Sequence, residues 1–159
     1  MFIKTCKGLP LSLKVLGALV YGKEKSYWQE LLNRLKLPVG IEKSLRVSYD
    51  LLEDEEKEIF VHISFFSVGE ESDKWIKIWG ESGWKGLVGL ETLKDKCLVE
   101  VDSENIIRMH DHLQLMGRNI AQKISMPVRI WCGTSETVYN LLEQSLYVSA
   151  SIVRNCVSV

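Results

Sequence analysis

Between residues 98 and 109 the apolar pattern of this sequence changes period. Upstream, apolar residues recur three and four apart, as one buried face of an α-helix requires. Leu98 to Val101 and Ile106 to Met109 are instead short β-like runs, separated by Asp102-Ser103-Glu104-Asn105, whose polar composition suits a hairpin turn. Directly afterwards Asp111 can cap a new helix, with Gln114 at the capping-box partner position and Leu113, Met116 and Ile120 along its apolar face. Helices that lead into one hairpin and straight out into another helix describe a winged helix: a three-helix core with a two-stranded wing.

The segments before the hairpin supply those helices. Residues 9 to 21 read as a helix that is apolar nearly all round, with Pro10 in its first turn, where a missing N–H costs little. Gly22 ends it, and Ser26 with Gln29 forms a capping-box signature for a second helix with Trp28, Leu31, Leu32 and Leu35 on its apolar face. After Pro38 and Gly40, a third helix is expected from Ile41 to Leu52, with Ile41, Leu45 and Tyr49 on one side. Asp54, Glu55 and Glu56 fit the first turn of a fourth, where carboxylates complement the positive end of the helix dipole, and Ile59, Phe60, Ile63 and Phe66 form its buried face. Trp75, Ile76 and Trp79 mark a fifth helix, and Leu87 to Lys96 a sixth. Beyond Ile124 the signal weakens: Met126-Pro127 is a breaker, Trp131 stands alone, and Glu136 to Gln144 can form a helix.

A chain of 159 residues, 46% of them hydrophobic, is long enough for one ordinary domain, or for a small domain flanked by pieces of others. With 20 Lys+Arg against 21 Asp+Glu there is no global electrostatic pull towards nucleic acid or anionic membrane. Cys6, Cys97, Cys132 and Cys156 are scattered singly, which fits reduced thiols in a cytosolic or nuclear compartment better than a disulfide framework or a zinc site. Lys4 and Lys7 before the run Leu9 to Tyr21 superficially resemble a signal peptide. Lys14 interrupts that run, however, and about 13 residues is too short to span a bilayer.

Few residues carry candidate chemistry. Gly17 to Glu24 matches a phosphate-binding loop until its last position, where Glu24 replaces the hydroxyl that would ligate magnesium and would repel phosphate. His110 and His112, two apart on a helix, would point in different directions and cannot chelate a metal alone. Nothing in the sequence brings Cys97, His110 and Asp111 together as a nucleophilic set. His62, among Phe60, Val61 and Ile63, reads as a partly buried structural histidine. Two readings of His110-Asp111 stand side by side. Either Asp111 simply caps the helix and His110 is a surface residue, or the histidine donates a hydrogen bond to a phosphate at a helix end that favours an anion.

Three stretches together resemble the regulatory half of the nucleotide-binding module in plant disease-resistance proteins of the nucleotide-binding leucine-rich-repeat family. The first is Gly8-Leu9-Pro10-Leu11, continuing to Gly17, similar to the family's GLPL motif. The second is Leu45-Arg46-Val47-Ser48-Tyr49-Asp50-Leu51-Leu52, running on through Ile59-Phe60 to Phe66. The third is Met109-His110-Asp111, similar to the MHD motif, followed by His112 where a leucine is common. The forms of the second and third look most like the branch that carries an N-terminal Toll/interleukin-receptor-like domain.

The resemblance implies a mainly α fold: part of a helical bundle at 1–38, a winged helix with one β-hairpin at 41–123, and a tail at 124–159 leading towards leucine-rich repeats. It also implies a switch in defence signalling, in which bound ADP holds the receptor closed and exchange for ATP opens it. On matching positions Pro10, Leu11 and His110 are ADP-proximal, while Met109 and Asp111 support the turn that presents His110. No catalytic residue, no metal and no enzymatic activity are expected. The sequence begins just before the GLPL-like motif, so the family's phosphate-binding loop, magnesium-binding aspartate and repeats are expected to be partners outside it. Alone, the polypeptide is then expected to bind ADP weakly or not at all.

Two other classes remain. A winged helix can place a helix in the DNA major groove, but here Lys85, Lys94 and Lys96 are offset by Glu91 and Asp95, and the wing carries Glu100, Asp102 and Glu104 against Arg108. A plain interaction fragment that docks on full-length receptors through exposed apolar surface is compatible with the first reading.

Overall fold

The computed structural model describes residues 10–35 and 41–124. Helix α1 (Pro10–Val20) begins on its proline and ends at Gly22, whose φ of +68° a side chain would resist. Helix α2 (Lys25–Leu35) starts one residue earlier than its expected cap, so Ser26 lies inside the helix. Trp28 also departs from expectation. Its ring is 38% exposed, and its indole Nε1–H donates to the Val20 carbonyl at 3.0 Å, satisfying one of the free acceptors at the end of α1. The side chains of Leu32 and Leu35, and the tail features from Met126 to Gln144, lie outside the described residues.

Helix α3 (Ile41–Asp50) stops two residues before the expected Leu52 and packs along α1. Small residues let the two backbones approach: the hydroxyls of Ser12 and Ser44, both buried, are 2.7 Å apart, and Ser44 also donates to the Ile41 carbonyl. Leu16, Leu19 and Val20 of α1 form a small cluster with Leu31, while Val15 enters the main core. The expected boundary between 1–38 and 41–123 therefore runs across a packed contact.

Helix α4 (Asp54–His62) has acidic residues throughout its first turn, and the Glu56 carboxylate accepts the Glu53 backbone N–H at 2.9 Å. It runs into a π turn at Ile63–Ser67. That wider turn changes which residues face inward, so Ile59, Phe60 and Ile63 are buried as expected whereas Phe66 is only half-buried. Helix α5 (Ser72–Glu81) buries Trp75 and Trp79 and leaves Ile76 half-buried. Helix α6 (Gly86–Asp95) sits one residue earlier than expected and needs two glycines: a Cβ on Gly86 would lie 2.9 Å from Trp79 Cβ, and one on Gly89 2.5 Å from Ile59 Cδ1. Its end is closed by bonds from Leu98 N to Leu93 O and from Cys97 N to Lys94 O, with Cys97 at φ +55° where glycine is usual.

The wing pairs β1 (Glu100–Val101) with β2 (Ile107–Arg108) antiparallel, Glu100 opposite Arg108. Both strands are shorter than the β-like runs, because Leu98 is committed to closing α6. Asp102 organises the turn: one carboxylate oxygen accepts the N–H groups of Glu104 and Ile106, the other the Arg108 guanidinium at 2.9 Å. These contacts, led by the Ile106 N–H, hold its carboxyl below the usual carboxylate range. The segment before α5 adds to the hairpin through Gly69 N to Ile107 O, Ile107 N to Glu70 O and a bridge between Glu71 and Ile106. Among the described residues, seven α-helices and one hairpin make a mainly α, winged-helix fold. Among the described residues no helix is long and apolar enough to cross a membrane.

Helix α7 (Asp111–Ile124) seats on the π turn where Gly117 meets Ser64. A Cβ on Gly117 would lie 2.7 Å from Ser64 Cβ, and Arg118 Nε donates to the Ser64 carbonyl at 3.1 Å. Gly117→Val is therefore expected to cost about 1–3 kcal/mol by overpacking, read as a lower urea midpoint with an unchanged slope.

His62 lies among Phe66, Trp75, Trp79 and Trp84, with ring centroids 5.1 to 6.2 Å away, and its Nδ1 accepts the Trp79 indole N–H at 3.3 Å. Burial lowers its pKa from 6.5 to about 4. The unfolded chain then binds a proton at higher pH than the folded one. The stability of the neutral state is fully present above pH 6.5 and is lost as pH falls to about 4, by about 3 kcal/mol in all. Urea titrations across that window should show the loss. His62→Phe should flatten it, at a baseline cost of about 1–3 kcal/mol for the orphaned indole donor.

Candidate functional site

The start of α1, the base of the wing and the first turn of α7 face one cavity of about 700 Å³, within the range of small-ligand sites. Pro10 and Leu11 reach it from α1, Ile41 from α3, and Met109 and His110 from the link between β2 and α7. Pro10, Leu11 and His110, distant in sequence, thus line the same cavity. Met109 is buried and anchors the link, while His110 and Asp111 are exposed.

The first turn of α7 is closed by His110, where Asp111 was expected to act. The His110 carbonyl accepts the N–H groups of Leu113 and Gln114, and its Nδ1 accepts the His112 backbone N–H at 3.2 Å. Asp111 is the first helical residue, where its carboxylate complements the dipole. The physical reason is reach: an imidazole one position earlier already supplies the acceptor that the free N–H groups need. With Nδ1 engaged as acceptor, the neutral ring carries its proton on Nε2, which is left to donate elsewhere.

This geometry also overturns the expectation that His110 and His112 diverge. Because His110 stands outside the helix as its cap, the two rings stack at 12° with centroids 5.4 Å apart. No cluster of three His, Cys, Asp or Glu side chains placed to hold a metal occurs among the described residues. Cys97 lines the cavity with His110, and no hydrogen bond joins the two among the described residues. The residues matching a phosphate loop are helical from Gly17 to Val20, a backbone that cannot wrap a phosphate.

Sequence reading did not place Lys14, Arg108 or His112 at the site. Lys14 stands one turn after Pro10 on α1 and is paired with Glu100 of β1. That hydrogen bond raises the ammonium pKa above its usual value. The spacing of four from Pro10 was the available signal. Arg108 and His112 flank the His110-Asp111 pair, but only the hairpin and the cap turn them to the same cavity. Elsewhere, α6 exposes Leu87 and Val88 at 57% and 60%, and Lys94 is paired with Glu91 at 2.7 Å.

Residues 53–125 match the family model described as the winged-helix domain of Roq1-like disease resistance proteins. Over 120 residues, 74% of this chain, the sequence is 39% identical to disease resistance protein RUN1 of Vitis rotundifolia and covers 9% of it. TMV resistance protein N of Nicotiana glutinosa is 37% identical over 120 residues, again 74% of the chain and 10% of that protein. Disease resistance protein RML1A of Arabidopsis thaliana is 34% identical over 120 residues, 74% of the chain and 12% of that protein. The chain thus spans about a tenth of the length of the curated relatives it matches.

His110→Ala should remove the side-chain cap and cost about 1 kcal/mol in a denaturant titration. His110→Asn, which keeps an acceptor at that position, should recover most of it, and equal losses in both variants would disprove the cap.

Proposed function

We propose, from the premise that residues 53–125 are a winged-helix domain of the plant disease-resistance type, that this chain is the regulatory half of an ADP/ATP-dependent switch in a plant immune receptor. The receptor belongs to the branch with a Toll/interleukin-receptor-like domain and acts in the cytosol or nucleus. The observation that carries the proposal is that Pro10 and Leu11 at the start of α1 share one cavity with the capped imidazole of His110.

The residues present suit a nucleoside diphosphate. Pro10, Leu11 and Ile41 offer an apolar wall for a base, and His110 Nε2–H offers a donor to phosphate at the N-terminal end of α7, where the dipole favours an anion. Met109 and Asp111 hold the turn that aims that donor. ADP bound there would supply the anion for His110 to contact. His110 and the nucleotide-binding domain would share the same diphosphate when the winged helix lies against that domain, so bound ADP would favour the closed arrangement. Exchange for ATP weakens that preference and releases the winged helix.

The phosphate-binding loop, the magnesium-binding aspartate and the leucine-rich repeats act as partners of this segment. Most of the affinity for nucleotide resides in that loop, so this polypeptide alone holds ADP no tighter than millimolar and hydrolyses nothing. The exposed Leu87 and Val88 favour a second, compatible reading, docking on full-length receptors through α6. The paired Lys94 and the acidic wing weigh against a nucleic-acid interface.

Calorimetric titration of ADP into the purified 159-residue chain should show no saturation at micromolar concentrations, and micromolar affinity would contradict the division of labour. In the complete receptor that carries this segment, His110→Ala should lower ADP retention about 10- to 100-fold, as expected for loss of one hydrogen bond to a charged group. Unchanged retention would remove His110 from the switch.

A further inference from the structure

A diphosphate brings negative charge into the cavity, and the charged groups that surround it decide how that charge is balanced. Among the described residues two fixed cations line the site, and each is already matched: Lys14 of α1 by Glu100 of β1, and Arg108 of β2 by Asp102 of the wing turn. Asp111, at the start of α7, adds another carboxylate, and the free Cys97 lies after α6. Ile41 of α3 and Val68 before α5 contribute apolar surface. Among the described residues, the other groups lining the cavity that can carry positive charge are the imidazoles of His110 and His112, both exposed.

Their arrangement makes the two act together. The rings are parallel within 12° at a centroid distance of 5.4 Å, and the His112 backbone N–H holds His110 Nδ1. Positive charges on two stacked rings repel each other when no anion is present. An anion against their outward edges offsets that repulsion and favours proton uptake.

We propose that His112 is a second anion-facing residue, stacked on His110, and that it is the ring of the pair that takes up a proton when a diphosphate enters the cavity, because His110 Nδ1 is held by the His112 N–H. The proposal rests on the reading of this cavity as a diphosphate site. The sign follows from linkage: the ligand-bound form carries more protons than the free form, so affinity rises as pH falls through the range where imidazoles titrate and declines as pH rises.

The test uses the 159-residue chain with ADP or inorganic pyrophosphate titrated to millimolar concentration, following the imidazole Cε1–H resonances by NMR from pH 8 to pH 6. The His110 and His112 signals should move together with one apparent dissociation constant while buried His62 stays still. Affinity should rise about tenfold over that pH range, and His112→Leu should cut the rise to about threefold while the His110 signal still moves. If His110 alone responds and His112→Leu leaves the pH dependence unchanged, the stacked-pair proposal falls and the diphosphate reading stands. If neither signal responds to ADP or pyrophosphate, the stacked-pair proposal falls, while the division of labour with the phosphate-binding loop stands.

Discussion

The Nδ1 of His110 closes the first turn of α7, and the geometry of the site follows from that one hydrogen bond. A helix that begins beside a cavity leaves several N–H groups without partners. Here the preceding histidine supplies the side-chain acceptor as well as the carbonyl. The ring is thereby fixed in orientation and tautomer, so that Nε2 is the atom left to meet a ligand. The same bond holds His110 outside the helix and brings its ring parallel to that of His112.

The core gives that cap its position. Gly117 lets α7 lie against the π turn, and Arg118 satisfies the Ser64 carbonyl. At the other end of the link, Met109 is buried beside Leu113, and β2 is paired both with β1 and with the segment before α5. The cap is therefore held between a seated helix and a braced strand. On the opposite wall, the close Ser12–Ser44 contact sets α1 against α3 and brings Pro10 to the cavity. Lys14 and Glu100 tie that wall to the wing through an exposed pair, a contact of modest strength suited to being broken.

Much of the fold was legible because it depends on local periodicity. The spacing of Ile59, Phe60 and Ile63, the tryptophans of α5 and the Asp102–Asn105 turn each report on neighbours within a few residues. The misreadings share one cause. Ser26 and Asp111 have the composition of caps, but which residue caps is decided by where the chain turns, and both ended inside helices. Phe66 follows α-helical spacing but falls in a π turn against which α7 packs. Trp28 fits an apolar stripe, yet its indole closes α1.

By itself the sequence determined the helical segments, the single hairpin and the presence of a histidine between strand and helix, since these follow from patterns a few residues long. Only the tertiary structure decided that Pro10 and His110 share a cavity, that Lys14 and Arg108 are already matched by carboxylates, and that His112 stacks on His110. Those facts depend on packing between elements as much as 100 residues apart, for which a linear pattern holds no distance.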